Sequence, residues 1–307
     1  MNKRQLGKSD LYVSEIGLGC MSLGREEKHA TSIIDAALDK GINYLDTADV
    51  YNFGLNEEFV GKAIQHKRDE LILATKVGNH WENGKEGWFW DPSKSYIKQQ
   101  VKESLRRLRT DYIDLYQLHG GTIEDPIDET IEAFEELKQE GYIRYYGISS
   151  IRPNVIREYV KRANIITVMM QYSILDRRPE ENVLDLVNDN NISVIARGPL
   201  AKGLLTEQIE QKASEKVKEN GYMGYSYEEL LTLNQQLQNL TSDKRSLNET
   251  ALLYPLHHPA VGAVIPGASS IEQLQANVKA TKAEAFTEAE YKEIQLMSKA
   301  NQYEQHR

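Results

Sequence analysis

Three short apolar segments of the sequence each end in a side chain that can exchange a proton or carry a charge. These side chains are Asp46, Lys76 and His119, and Tyr51 lies on the turn five residues after Asp46. Polar residues at strand ends are common on protein surfaces, so each of these residues taken singly could be an ordinary surface residue without a functional role. Four such groups at the ends of successive strands favour a shared site, because a barrel of parallel strands carries its chemistry at that edge.

These four residue types suit proton donation to a carbonyl oxygen. A free tyrosine has a pKa of about 10, and an ammonium group beside a phenol favours the phenolate. Asp46 can hold Lys76 next to Tyr51, while His119 can orient the substrate oxygen. Such a site needs a source of electrons, and the sequence contains neither a His-Glu-x-x-His metal motif nor a serine nucleophile elbow. A hydride-donating cofactor would complete the reaction.

Composition excludes several other functions. The 307 residues include 37 basic and 46 acidic ones, a net charge of −9 without a basic run, which argues against a nucleic-acid or anionic-membrane surface. No apolar stretch follows the N-terminal charges, and no apolar run approaches the length of a membrane span, so we expect neither a signal peptide nor a membrane segment. Cys20 is the only cysteine, which fits a reducing cytoplasm. We expect a cytoplasmic protein.

Alternation of apolar segments with helical periodicity predicts an α/β fold. Strands are expected to begin near Ile16, Ile42, Leu71, Ile113, Ile143, Ile165, Ile192 and Ala260. The intervening helices are expected at residues 31–40, 56–65, 93–107, 128–140, 153–161 and 179–190, with a last helix at 287–300. Eight strands separated by helices imply a (β/α)8 TIM barrel, here a single domain over residues 1–307. Residues 3–6 and 11–14 predict an N-terminal β-hairpin that caps the bottom of the barrel.

A dinucleotide-binding Rossmann fold is disfavoured by the glycine spacing. Gly17 and Gly19 are followed by Gly24, whereas the G-x-G-x-x-G fingerprint requires the third glycine at position 22. Any nicotinamide site in this chain must therefore be built without that loop.

Two connections are longer than a barrel needs, and both follow strands. Residues 78–92 contain all three tryptophans of the chain, and residues 201–227 contain a Gly-Tyr-Met-Gly-Tyr segment. Long loops on the catalytic face are usually functional. We expect Trp88 and Trp90 to line a substrate pocket; the alternative is that they pack the loop onto the barrel rim.

Taken together, these motifs resemble the aldo-keto reductase superfamily, in particular bacterial members related to potassium-channel β subunits. The resemblance extends from residue 16 to residue 277, and its landmarks are residues 43–51, 74–76, 110–119, 147–150, 168–173 and 265–268. It implies a barrel that binds extended NAD(P)H across its C-terminal face and reduces aldehydes or ketones. It makes Tyr51 the proton donor, Lys76 and Asp46 its tuning pair, and His119 the residue that orients the carbonyl.

The same resemblance implies the cofactor residues. The loop of Gly19, Cys20 and Met21 passes beside the nicotinamide ribose, and Asp46 is also among the residues that bind the cofactor. Cys20 is interpreted as a small apolar filler. The carboxamide partners are Ser149, Ser150 and Gln171. The segment that closes over the pyrophosphate contains Gly198, Pro199, Leu200 and Lys202. The adenosine end lies in residues 267–277, with Gly267, Ser269, Gln273 and Asn277.

Two further expectations concern the cofactor. Ser270 and Gln273 form a capping-box pattern, and the helix that they begin offers free N–H groups to a 2′-phosphate. Many relatives carry a basic residue where this chain has Gln273. The resemblance therefore favours NADPH, although position 273 has no positive charge to bind its 2′-phosphate, and NADH is the alternative. Arg197 stands where many relatives stack an aromatic ring on the nicotinamide. Its planar guanidinium can do the same, or it can pair with Asp176 or Glu180.

The resemblance leaves two classes of function open. One is an enzyme that reduces small carbonyl compounds. The other is a non-enzymatic regulatory subunit that binds the cofactor and senses redox state, as channel-associated relatives are thought to do. The complete set of Asp46, Tyr51, Lys76 and His119 favours the enzyme.

Overall fold

Eight parallel strands form a closed barrel in the computed structural model, which describes residues 1–82, 84–241 and 243–307. The strands within these residues are β1 (Lys3–Gln5), β2 (Tyr12–Ser14), β3 (Leu18–Gly19), β4 (Tyr44–Asp46), β5 (Ile72–Val77), β6 (Asn79–His80), β7 (Phe89–Trp90), β8 (Ile113–Leu118), β9 (Ile143–Ser149), β10 (Thr167–Gln171), β11 (Ser193–Arg197) and β12 (Val261–Ile265). The barrel order is β12-β11-β10-β9-β8-β5-β4-β3. It closes where Gly17 N donates to Val264 O at 2.9 Å and Gly19 N donates to Pro266 O at 3.1 Å. The predicted (β/α)8 barrel is confirmed.

Helices on the outside of the barrel connect these strands. They are α1 (Glu27–Asp39), α2 (Leu55–Ile64), α3 (Lys94–Leu108), α4 (Ile127–Gln139), α5 (Pro153–Arg162), α6 (Val183–Asp189), α7 (Ile209–Lys212), α8 (Glu215–Asn220), α9 (Tyr227–Thr241), α10 (Leu247–Leu256), α11 (Ile271–Lys279) and α12 (Glu288–Met297). No helix in the described ranges has the length and apolar character that a membrane span needs.

One predicted helix is divided in two. The pattern over 179–190 predicts a continuous helix, but a 3₁₀ turn occupies Arg178–Glu181 and α6 begins only at Val183. Asn182 lies between them with φ −157° and ψ −24°, which is outside the helical region. The turn is held instead by Glu180, which accepts hydrogen bonds from Arg177 at 2.9 Å and from Tyr254 at 2.6 Å. The contact with Tyr254 comes from a distant part of the chain, and with the local contact of Arg177 it overrides the helical periodicity.

The N-terminal hairpin closes the bottom of the barrel, as the sequence predicts. β1 and β2 pair in antiparallel register. Leu6, on the connection between them, is fully buried in a cluster with inward-facing residues of several barrel strands. Arg4 Nη1 donates to the carbonyl oxygens of Leu256 and Val261 at 3.0 and 2.9 Å, which ties the hairpin to the start of β12. Water is thereby excluded from the lower end of the barrel.

Side chains inside the barrel change from apolar to polar along the strands. Because side chains two residues apart share a face, each inward-facing apolar residue is followed by another inward-facing residue nearer the C-terminal end. The lower set consists of Tyr44, Ala74, Leu115, Met169 and Ile195, which pack in one cluster. The residues two positions later are Asp46, Lys76, Gln117, Gln171 and Arg197. This alternation places a polar layer directly above the apolar core, at the end where barrel enzymes carry their sites.

Candidate active site

A buried ion pair occupies the C-terminal end of β4 and β5. Lys76 Nζ lies 2.6 Å from Asp46 Oδ2, and both residues are almost completely buried. The same nitrogen donates to Thr47 O at 2.8 Å and to Tyr51 OH at 3.4 Å. Burial alone lowers the pKa of Lys76, but the charge of Asp46 and the hydrogen bonds to Asp46 and Tyr51 outweigh it and raise that pKa. The pair therefore favours the ammonium form of Lys76 beside the phenol.

The turn after β4 holds Tyr51 in this position. Asn52 and Phe53 adopt positive φ values of 50° and 53°, and Gly54 follows with φ 84° before α2 begins. A Cβ on Gly54 would lie 2.8 Å from Cδ of Arg107, so this position requires glycine for space as well as conformation. Strained conformations of this kind persist only where the surroundings fix them.

Hydrogen bonds connect this turn to the loop after β3. Thr47 Oγ1 donates to Asn56 Oδ1 at 2.6 Å, and Asn56 Nδ2 donates to Cys20 O at 2.8 Å. All three residues are fully buried. The predicted ribose loop (Gly19, Cys20 and Met21) is thus rigidly attached to the strand that carries Asp46, with Met21 at its exposed tip.

His119 lies across the site from the ion pair. Its ring meets the Tyr51 ring edge-on, with centroids 5.9 Å apart and an interplanar angle of 82°. Burial, together with the positive charges of Lys76 and Arg197, holds the pKa of the imidazole well below its usual range. The side chain is therefore neutral at physiological pH and can donate a hydrogen bond from only one ring nitrogen.

A second group of buried charges supports the site from outside the barrel. Glu57 accepts a hydrogen bond from Arg107 Nε at 2.7 Å and another from Thr75 Oγ1 at 2.6 Å. Asp49 lies nearby without exposure to solvent, and burial and the charge of Glu57 raise the pKa of its carboxyl well above the usual range. These contacts join α2, α3 and β5 behind Lys76.

The polar layer continues across β10 and β11 to a loop residue. Arg197 Nη1 donates to Gln171 Oε1 at 3.2 Å, and Gln171 Nε2 donates to Tyr222 OH at 3.1 Å. Met223 Sδ lies 4.0 Å from the same amide nitrogen. The second long loop therefore folds back onto the strand ends next to two predicted cofactor residues.

Arg197 does not make the ion pairs considered for it. Asp176 binds Arg178 through two hydrogen bonds of 2.8 and 2.7 Å, and the main partner of Glu180 is Arg177. Arg197 is exposed at the mouth of the barrel, where its charge acts on Asp46 and His119. The guanidinium thus faces the candidate site and not an acidic group on the rim.

The pyrophosphate segment predicted from the resemblance follows Arg197 directly. Gly198 and Gly203 have positive φ values, as do Ala201 and Lys202 between them, so the backbone turns tightly over residues 198–203. Pro199 is buried and Leu200 is half-buried, whereas Lys202 is exposed, with its ammonium 5.8 Å from the centre of the Tyr222 ring. Ser149 ends β9 half-buried; Ser150 follows it, buried, and its Oγ accepts a hydrogen bond from Arg152 N at 3.2 Å.

The predicted adenosine end is a helix N-terminus with a modified cap. Ser270 Oγ accepts from Gln273 N at 3.3 Å, which confirms Ser270 as the N-cap of α11. The side chain of Gln273 does not reach back to Ser270 as a capping box requires; its Oε1 accepts from Ser269 N at 2.9 Å. Asn277, buried on the same helix, donates to Gly267 O at 3.3 Å and holds the strand-to-helix connection.

The first long loop forms a small hairpin, β6-β7, on the catalytic face. Trp90 packs against Gly78 and Gly120, where an added Cβ would lie 2.6 and 3.1 Å from its ring, and its indole nitrogen donates to Asp125 at 3.0 Å. Trp88 is 57 % exposed at the outer end of the hairpin. Trp90 therefore anchors the hairpin next to His119, and Trp88 projects into solvent at the rim.

Three residues of this site were not identified from the sequence. Gln117 lies beside the ion pair, two residues before His119, and its amide nitrogen is 3.4 Å from Asp46 Oδ1. The period-two alternation through Leu115, Gln117 and His119 is the signal that could have found it. Tyr222 and Met223 carry no comparable signal, because the sequence does not show where a long loop returns to the barrel.

Comparison with known proteins agrees with this geometry. The model of the Aldo/keto reductase family matches residues 15–299. The chain is 62 % identical to the uncharacterized oxidoreductase YqkF of Bacillus subtilis (strain 168), over 100 % of both chains. It is 32 % identical to the NADH-specific methylglyoxal reductase of Escherichia coli (strain K12), over 91 % of this chain and 93 % of that protein. The holo form of aldo-keto reductase AKR11C1 from Bacillus halodurans superimposes with a TM-score of 0.94 at 61 % identity, over 100 % of this chain and 99 % of that one.

The chain belongs to the aldo/keto reductase family. It is an oxidoreductase that reduces carbonyl compounds with a nicotinamide cofactor, and none of these comparisons favours the regulatory, non-enzymatic alternative.

Cys20 provides a direct test of the packing beneath the ribose loop. Its side chain is fully buried, and burial raises the pKa of the thiol far above its usual range. We expect the native protein to react with a thiol reagent at least about a hundredfold more slowly than the urea-unfolded chain, because only the thiolate is nucleophilic. The reaction is followed by absorbance, and since there is one cysteine the signal has one source. Rapid stoichiometric labelling of the native protein would contradict the described packing.

Proposed function

We propose that Tyr51 is the general acid of carbonyl reduction, with Lys76 and Asp46 as its tuning pair. The observation that carries this proposal is the position of Lys76 Nζ, 2.6 Å from Asp46 and 3.4 Å from Tyr51 OH. As hydride reaches the carbonyl carbon, negative charge develops on the oxygen, and Tyr51 OH donates its proton there. The ammonium group of Lys76 then stabilises the phenolate that remains, while Asp46 keeps the ammonium in place.

His119 is proposed to orient the carbonyl oxygen. Its neutral imidazole donates one hydrogen bond and adds no charge that would repel Lys76. Tyr51 and His119 stand edge to face at 5.9 Å, so a carbonyl oxygen between them can receive a hydrogen bond from each. Two donors aimed at one developing charge stabilise the transition state more than the ground state.

The residues around the strand ends fit a dinucleotide. Arg197 contacts Gln171 and Lys202 contacts the ring of Tyr222, and neither forms an ion pair with a carboxylate in the described parts of the chain. Two cations without acidic partners, at the site of a protein with net charge −9, suit an anionic ligand. The bound nicotinamide supplies the hydride.

We propose that this edge holds the cofactor in an extended form. Ser149, Ser150 and Gln171 bind the carboxamide, with Arg197 stacked against the ring; Gly198, Pro199, Leu200 and Lys202 enclose the pyrophosphate, beside Gly19, Cys20 and Met21. Gly267, Ser269, Gln273 and Asn277 receive the adenosine end at the N-terminus of α11. The preferred cofactor is NADPH, since free N–H groups there suit a 2′-phosphate, and NADH is the alternative that the Escherichia coli relative represents.

The substrate is proposed to be an apolar aldehyde or ketone. Exposed large apolar side chains are found on several loops of the catalytic face: Met21, Phe53, Trp88, Phe89, Ile123 and Ile151. Trp90 lies beside Gly120, which directly follows His119. An apolar rim around a neutral proton-donating pair suits aromatic or medium-chain carbonyl compounds more than anionic sugars or acids.

Replacing Tyr51 by Phe removes the proton donor and keeps the ring. We expect kcat for carbonyl reduction to fall by about 10²–10⁴-fold, the range typical of general acids, whereas the dissociation constant of the cofactor stays unchanged. Both are measured by the absorbance and fluorescence of NADPH. Tyr12→Phe is the matched control, since Tyr12 is exposed on the N-terminal hairpin. Turnover of Tyr51→Phe close to wild type would show that the proton comes from another group.

A panel of carbonyl compounds tests the apolar pocket. Aromatic and medium-chain aldehydes are expected to give the highest kcat/KM, and Trp90→Ala is expected to lower kcat/KM for them by about tenfold, from loss of roughly 1–2 kcal/mol of contact. Trp88→Ala, at the outer end of the same hairpin, is the comparison for a more exposed position. The pocket proposal is wrong if a phosphorylated or carboxylated compound has the highest kcat/KM.

Substitution of Arg197 tests its stacking on the nicotinamide. Arg197→Ala is expected to weaken NADPH binding by roughly 1–2 kcal/mol, the range of a partly desolvated cation–π contact, and Arg197→Tyr should restore much of it. Fluorescence titrations with NADPH and NADH are made on each protein, and the wild type is expected to bind NADPH more tightly. Arg106→Ala is the control, because that arginine is exposed on α3. Equal dissociation constants for Arg197→Ala and wild type would remove Arg197 from the cofactor site.

A further inference from the structure

Gln117 is a buried amide inside the barrel, between two groups of the active site. It lies on β8, pairs in register with Lys76 on β5, and has no solvent exposure. Its inward-facing neighbours along the strand are Leu115 below and His119 above, because side chains alternate along a strand. A polar side chain in such a position needs hydrogen-bond partners for both ends of its amide.

One end of this amide is fixed by Asp46. Gln117 Nε2 lies 3.4 Å from Asp46 Oδ1, while Lys76 occupies Oδ2 at 2.6 Å. The reverse orientation would point the amide oxygen at a carboxylate, which is repulsive. The amide nitrogen therefore faces Asp46, and Oε1 is directed elsewhere.

Among the residues that the structure describes, the other end of the amide has no partner, and the same is true of one ring nitrogen of His119. Gln117 Oε1 and His119 Nδ1 are both shielded from solvent, and neither has a hydrogen-bond partner within the described ranges. The Cα atoms of residues two apart on a strand lie about 6.6 Å from each other. Two inward-facing polar side chains at that backbone spacing can be joined by one water, which reaches across two hydrogen bonds of about 2.9 Å each. A buried water that bridges polar groups typically satisfies two to four of them.

We propose that Gln117 is a positioning residue that joins the Asp46–Lys76 pair to His119 through a bridging water, and so fixes His119 in the tautomer with its proton on Nε2. The amide nitrogen orients Asp46, and the amide oxygen accepts one hydrogen of the water. The second hydrogen of the water goes to His119 Nδ1. A bond in the reverse direction, from Nδ1–H to the water, would leave that hydrogen buried without an acceptor, and buried donors without partners are rarer than buried acceptors without partners. The proton of the neutral imidazole is then on the other nitrogen, where it is available to a carbonyl oxygen. This inference rests on the proposed role of His119.

The tautomer of His119 is the direct readout. Nitrogen-15 NMR of the protein with NADP+ bound is expected to show Nδ1 of His119 as an unprotonated acceptor and Nε2 as protonated, with His119→Asn used to assign the signals. Gln117→Met keeps the length of the side chain and removes both hydrogen-bonding groups. We expect a mixture of tautomers in that variant and a fall in kcat of roughly tenfold, smaller than that from loss of the general acid, with an unchanged dissociation constant for NADPH.

Gln139→Met is the control for the same change of side chain, because Gln139 is exposed at the end of α4 outside the barrel. It should leave both the tautomer and kcat unchanged. A wild-type protein with the proton on Nδ1, or a Gln117→Met variant with wild-type tautomer and kcat, would overturn the proposal.

Gln117→Glu provides an independent test through the pH profile. When protonated, the introduced carboxyl donates to Asp46 and accepts from the water, as the amide does. When ionised, it repels Asp46. Burial and the carboxylate of Asp46 raise its pKa above the usual value of about 4.3, whereas the positive charges of Lys76 and Arg197 lower it. Because Asp46 already binds the ammonium of Lys76 and Arg197 is exposed, we expect a raised pKa, with kcat near wild type at low pH and falling as pH rises through that pKa. A profile parallel to that of the wild type would contradict a hydrogen bond from position 117 to Asp46.

Failure of this inference and failure of the proposed function give different results. Tyr51→Phe should leave the tautomer of His119 unchanged, since Tyr51 makes no hydrogen bond to Nδ1 and the variant keeps the ring. An active Tyr51→Phe variant with the expected tautomer would overturn the role of Tyr51 alone. An inactive Tyr51→Phe variant, together with a Gln117→Met variant whose His119 tautomer and kcat match the wild type, would overturn the role of Gln117 alone.

Discussion

A charged lysine inside the barrel is the constraint on which the rest of the structure depends. Removing an ammonium and a carboxylate from water costs several kcal/mol per ion, and their mutual attraction offsets this only when the remaining hydrogen bonds are also made. Lys76 satisfies that condition through Asp46, Thr47 O and Tyr51 OH, and Asp46 receives the amide of Gln117 as well. The energetic cost of the pair is thus met by groups from three strands and one turn. A chain that misplaced any of these strands would leave a buried charge without its partners.

The barrel meets this constraint through register and through closure at one end. Parallel pairing sets Lys76 beside Gln117, and Gln171 beside Arg197, so that inward polar groups gather in one region. Below them the apolar cluster and the N-terminal hairpin keep water out. A low local dielectric strengthens each polar contact inside, and it also holds His119 neutral. The same buried environment therefore keeps Lys76 charged, because a carboxylate lies beside it, and keeps His119 neutral, because its charged neighbours are positive.

The sequence predicts those parts of the molecule that depend on local pattern. The eight strands, the hairpin and the positions of Asp46, Lys76 and His119 at strand ends follow from hydrophobic periodicity and chain order. What it does not predict depends on contacts between distant segments. The helix expected over 179–190 is interrupted because Glu180 is held by Arg177 and by Tyr254, which is more than 70 positions away. The contact of Tyr222 with Gln171 depends on how a long loop returns to the barrel. Gln117 is intermediate: alternation along β8 turns it inward, but only the folded chain shows Asp46 beside it.

The arrangement separates the chemistry of this family member from its selectivity. In the proposed mechanism, proton transfer depends on strand ends and on a turn that buried contacts hold rigid, so we expect these groups to tolerate little change. The rim consists of loops whose anchors lie outside that network: Trp90 is fixed by Asp125, and the turn at Tyr222 is tied to the C-terminal segment where Lys299 Nζ donates to Gly224 O at 2.7 Å. Exposed side chains such as Trp88 can therefore be replaced without disturbing Lys76 or Asp46. Loops positioned by a rigid scaffold can vary in this way, and a shared proton donor can then serve carbonyl substrates of different shapes.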